Sequence, residues 1–139
     1  MLLPLSAGVA RRLSLENHLA LATIQSGNGT ADTMIALMRV LYMTYFLLET
    51  NPSDVAIDMF LTMETALDES IRATEDGNGC TVSEDTVPVI RGILLQFDSA
   101  IASVPKHHYI KAVDRFTTFA LSPHQSPLPG SRVEGLWEQ

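Results

Sequence analysis

The 139 residues leave room for one domain with a single core, which at this length needs no covalent staple, and the lone Cys80 excludes an internal disulfide framework and fits a reducing, cytoplasmic setting. The formal net charge is -7 and is unevenly spread: residues 51–104 hold ten acidic side chains against Arg72 and Arg91, whereas residues 1–50 hold three of each sign. Such a middle segment repels phosphate backbones, so nucleic acid is not an expected partner.

The start, MLLPLSAGVARRL, lacks a basic n-region, and Pro4 interrupts it before an apolar run develops, so no secretory signal is expected. A first helix is predicted from Ser6 to about Gln25. Ser6 and Ser14 both suit an N-cap, so one long helix or two short ones fit. Val9, Leu13, Ala20 and Ile24 form one stripe and Leu15, Leu19 and Ala22 a second, which predicts packing against two neighbours. The helix closes at Ser26-Gly27-Asn28-Gly29.

Thr30 or Asp32 caps the second helix, which contains TMIALMRVLYMTYFLLE, Thr33–Glu49. Its apolar run falls short of the roughly 20 residues of a membrane span and carries Arg39 near its middle, so a buried helix is expected and a membrane role is not. Being apolar all round, it must be covered all round. Either four amphipathic helices surround it within one chain, or its Tyr42 and Phe46 side meets a second copy or another protein. Arg39 can lay its stem on Tyr42 or Met43, and, if enclosed, it needs Asp32, Asp98 or Glu16 as a partner.

Asn51-Pro52-Ser53-Asp54 is the clearest helix start in the chain. In the third helix Val55, Met59, Phe60, Met63, Ala66, Leu67 and Ile71 face in. Asp58, Asp68 and Glu69 face out, and Glu64 with Asp68 reads as part of the same outer acidic face. Gly77-Asn78-Gly79 closes it. Ser83, Asp85 or Thr86 opens a fourth helix with Pro88 in its first turn and a stripe of Ile90, Ile93, Leu94, Phe97, Ala100, Ile101 and Val104. After Pro105, Tyr109, Ala112, Val113, Phe116, Phe119 and Ala120 line a fifth. The expected fold is all-α: a single bundle of about five helices around a central apolar helix over 1–121, with an extended Pro-rich tail over 122–139. In that tail Leu136 and Trp137 are free to dock.

No catalytic, metal or cofactor constellation is legible. Neither Gly-Asn-Gly follows a strand or precedes Lys-Ser/Thr, so neither is a phosphate loop. The loop from Asp76 puts Cys80, Thr81 and Val87 where a calcium loop needs an oxygen ligand, Gly and Glu. No histidine has an acid three residues before it, and His18 reads as a hydrogen-bonded residue at the core edge. Acids around Cys80 disfavour a thiolate. The chain is therefore expected not to be an enzyme. Its candidate interaction residues are Arg39, Tyr42 and Phe46, the acidic Asp58, Asp68 and Glu69, and Trp137.

At RRLSLENHLALATI, MRVLYMTYFLLE and SPLPGS the chain resembles a group of small uncharacterised bacterial helical proteins sometimes labelled Fis family transcriptional regulators. The resemblance implies a bacterial cytoplasmic protein with a regulatory role, and the label implies DNA binding through a basic C-terminal helix-turn-helix. Here only Lys106, Lys111 and Arg115 lie on the last helix, and a Pro-rich tail stands where a recognition helix belongs. The leading expectation is a helical interaction or regulatory module, with a protein partner or a homodimer. The alternatives are a DNA-binding regulator and a small-molecule binder using Arg39, Tyr42 and Tyr45.

Overall fold

The computed structural model describes residues 4–48, 57–75, 81–120, 126–129 and 131. These residues form five helices: α1 (Ala7–Gln25), α2 (Ala31–Leu48), α3 (Ile57–Glu75), α4 (Val87–Ser103) and α5 (Lys106–Ala120). The expected starts at Asn51–Asp54 and the loop around Gly77–Cys80 lie outside them.

Local chemistry sets the boundaries. Ser6 Oγ accepts from the Val9 N–H and α1 runs through Ser14 as one piece. At its end the Gly27 N–H donates to Ile24 O and the Asn28 N–H to Thr23 O, with Gly27 at φ 85°. That closure satisfies two terminal carbonyls and needs a left-handed residue, which glycine adopts without strain. Between the two candidates, Thr30 caps α2: its hydroxyl accepts from the Thr33 N–H at 3.3 Å, and Thr33 Oγ1 accepts from the Thr30 N–H at 3.2 Å. α4 begins after Thr86 with Pro88 in its first turn, and the chain turns out of it at Val104, before Pro105.

α2 is the central element and packs against all four other helices. Met34, Leu37, Met38, Val40, Leu41, Tyr42, Thr44, Phe46 and Leu47 are buried along its length. Its 18 residues reach the length and apolarity of a membrane-crossing helix, and the bundle encloses half of them. Arg39 sits on its exposed edge. Leu21 and Ile24 from α1, Phe60, Met63 and Leu67 from α3, Ile90, Ile93, Leu94, Phe97, Ala100 and Ile101 from α4, Ala112 and Phe119 from α5, and Leu128 beyond α5 are buried with the α2 core residues. Burying each large apolar side chain contributes roughly 1.5–3 kcal/mol.

α3 and α4 approach closely at Gly92, where an added Cβ would lie 3.1 Å from the terminal methyl of Met59. That methyl ends a flexible, half-buried side chain and can yield by a few tenths of an ångström. Gly92→Ala is therefore expected to stabilise the domain by up to about 1 kcal/mol through helix propensity. Thermal unfolding should move up by about 3 °C; a fall would show that Met59 is held rigidly.

The chain after α5 does not simply trail away. Within Ser126–Ser131 the Leu128 N–H donates to Ser126 Oγ and the Ser131 N–H to Leu128 O, and this turn drives Leu128 into the core. Trp137, the residue singled out for docking, lies outside the described residues.

Candidate interaction surface

α1 and α4 meet at a polar contact, His18 Nε2 to Asp98 Oδ2 at 2.8 Å. On α1 the core-facing residues Leu21 and Ile24 lie to one side of His18. On α4 Leu94, Phe97 and Ile101 lie to the same rotational side of Asp98. Helices that meet side by side with the core on the same rotational side must run antiparallel. The residues three before and four after the contact then face outward on both: Leu15 and Ala22 on α1, Leu95 and Ala102 on α4. Leu19 borders them. Leu15 is 59%, Leu19 54% and Leu95 55% exposed.

This corrects one expectation. The second stripe of α1 was expected to pack on a neighbouring helix, yet Leu15, Leu19 and Ala22 face away from the bundle. The reason is geometric: α1 meets α4 at His18 and turns its Leu21 side to the core, which leaves its opposite side uncovered. Ile110 on α5 is also exposed, as scattered apolar surface residues commonly are. The α1–α4 face differs in collecting three leucines on one surface.

The aromatic side of α2 points the other way. Tyr42 is 1% exposed, and Phe46 is buried with it. Phe119 of α5 meets the Tyr42 ring edge-on at 5.5 Å between centroids and lies 6.5 Å from Phe46. The Arg115 guanidinium lies 5.0 Å over the Phe46 ring. Both aromatic residues thus face the protein's own helices, because α5 covers that side of α2. Arg39 stays exposed and so needs no enclosed partner; it pairs with none of Asp32, Asp98 or Glu16, and Asp98 is taken by His18.

The acidic candidates on α3 divide. Asp58 and Glu69 are exposed. Asp68 is buried, its Oδ2 accepting from Arg72 Nε at 2.9 Å, while its Oδ1 is enclosed with no hydrogen-bond partner among the described residues. Glu64, expected on the outer face, is only 1% exposed. It lies one turn after Phe60 and one before Leu67, on the side of α3 that meets α2. The Tyr42 hydroxyl donates to its Oε2 at 2.6 Å, and Ser131 Oγ donates to its Oε1. The tail therefore supplies a donor that lets a carboxylate sit in the core. Two open grooves run along α3, sharing Ala66, Glu69 and Thr86; neither is lined by Arg39, Tyr42 or Tyr45.

Burial pushes the Tyr42 hydroxyl well above its ordinary ionisation range, the charge of Glu64 adds to that, and a hydrogen bond from Ser126 acts in the opposite sense. A tyrosine raised in the folded state contributes stability that is present below its unfolded value of about 10 and is lost as pH climbs past it. Tyr42 alone should weaken folding by about 1.4 kcal/mol per pH unit above pH 10, with Tyr109 adding in the same direction. Alkaline denaturation of Tyr42→Phe should show a shallower slope than wild type. An unchanged slope would mean that Tyr42 ionises in the folded protein.

Among the described residues no three His, Cys, Asp or Glu side chains converge as metal ligands do. No family model, no curated protein and no solved structure matches the chain, so the α1–α4 face and the enclosed Tyr42–Glu64 pair stand on their own geometry.

Proposed function

We propose that the protein is a non-enzymatic helical interaction or regulatory module that engages a protein partner through the α1–α4 face. The observation that carries this reading is the outward alignment of Leu15, Leu19 and Leu95, each more than half exposed, beside a core that is already complete. Leucines in these positions leave more than half of their surface outside the chain's own packing, and an apolar surface of this kind gains most by being covered. The non-enzymatic reading is supported by where the acids are committed. Glu64 is enclosed between Tyr42 and Ser131, and Asp98 is held by His18.

A displayed library of short helices, selected on the wild-type domain, tests the surface without presupposing the partner. Selected binders are expected to lose at least about tenfold in affinity for Leu15→Glu/Leu19→Glu, because a glutamate in each position replaces apolar contact with desolvated charge. The variant itself should unfold within about 0.5 kcal/mol of wild type, as surface changes do. Binders indifferent to the double change would place the docking surface elsewhere.

A further inference from the structure

We infer that the α1–α4 face takes an acidic amphipathic helix of another protein, with its apolar stripe on Leu15, Leu19 and Leu95 and its carboxylates on Arg11 and Arg91; this rests on the docking reading above. The charges on this face are the opposite of those on the chain as a whole. Arg11 lies seven residues before His18, and Arg91 seven before Asp98. Because the helices are antiparallel, the two arginines fall at opposite ends of the leucine stripe, each about 10 Å along the axis from the contact. Both are exposed, and neither pairs with a carboxylate among the described residues; Arg11 Nε instead donates to the Ala7 carbonyl.

Two acids next to the leucines each have a basic neighbour. Glu16 lies 3.9 Å from Arg12, and Asp98 is held at 2.8 Å by His18 in the floor between the helices. The face is therefore apolar along its middle and carries an exposed arginine towards each end, on a chain of net charge -7. A second copy is the poorer occupant. A two-fold arrangement sets the same patch against itself, so two arginines would meet at each end with no free carboxylate between them. Duplex DNA would satisfy the arginines but leave the three leucines against phosphates and water. An amphipathic helix lying between α1 and α4 meets both demands. Its recognition pattern follows from the geometry: leucine-like residues at i, i+4 and i+7, bracketed by acids about 14 residues apart, which is about 20 Å along a helix.

The test uses the full chain and a fluorescently labelled peptide of about 20 residues with that pattern. A second peptide carries lysines in place of the acids, and a labelled duplex DNA forms a third arm. The acidic peptide is expected to bind at least about tenfold more tightly than the basic one, with the gap narrowing as salt rises. Leu15→Glu/Leu19→Glu should abolish binding. Arg11→Glu/Arg91→Glu, which leaves the leucines in place, should reverse the preference between the peptides. Equal binding of both peptides, a preference for the basic one, tighter retention of DNA, or self-association lost in Leu19→Glu would each overturn the acidic partner. Selected helices that depend on Leu15 and Leu19 but carry no acids would overturn it too, while leaving the docking surface intact. Binders of every kind that ignore those leucines would remove the surface itself.

Discussion

Tyr42→Glu is expected to unfold the domain. The change removes a ring from the core and puts a second carboxylate in the same enclosed site as Glu64, which has almost no solvent contact. Two neighbouring carboxylates enclosed together disfavour each other's ionised form, and each enclosed ion carries a desolvation penalty of several kcal/mol. Domains of this size hold about 5–15 kcal/mol in total, so one substitution consumes most of the margin. Tyr42→Phe is the graded control: it keeps the ring against Phe119 but leaves Glu64 Oε2 without its donor, at about 1–3 kcal/mol. Phe46→Glu should be milder than Tyr42→Glu, since the Arg115 guanidinium already lies over that ring. Circular dichroism and thermal melts of the three variants check the order. A Tyr42→Glu protein that melts near the wild-type temperature would show that this side of α2 is not core.

Leu128→Ala should cost about 2–4 kcal/mol, an effect belonging to a core helix rather than a tail. Leu128 is buried, and the turn that carries it also brings Ser131 to Glu64 and Ser126 to Tyr42. Loss of the leucine removes its own transfer energy and loosens both serines, so Glu64 should become accessible to water at the same time. Urea unfolding measures the loss, and a change below about 0.5 kcal/mol would show that the turn rests on the bundle without stabilising it.

Much of the helical layout was legible because it depends on short-range chemistry. The all-round apolarity of Met34–Leu48 predicts a helix enclosed by others, and α2 packs against all four. The stripe from Ile90 to Ile101 predicts the buried side of α4, and Ser6 and Thr30 predict helix starts. The candidate site was less legible, for reasons of neighbourhood. Leu15, Leu19 and Ala22 form a clear stripe, but a stripe does not say whether a helix lies against it. That depends on α1 meeting α4 at His18 and turning its Leu21 side to the core. Glu64 was read as an outer residue because glutamate is rarely enclosed without a partner, and its partners come from residues 42 and 131. No window of local sequence contains all three. The spacing from Phe60 to Glu64 to Leu67 did carry a signal, since i, i+4 and i+7 share one helix side. Arg39 occupies the exposed edge of α2, where its guanidinium reaches water and needs no enclosed acid.

The α1–α4 face is best located by observing leucine methyl groups by NMR while the acidic amphipathic peptide is added to saturation. Shifts should gather at Leu15, Leu19 and Leu95, and leave the methyls of Leu41, Leu67 and Leu128 where they were. Shifts centred instead on Leu128 and the α5 side, or scattered through the core, would contradict the assignment of the α1–α4 face as the docking surface.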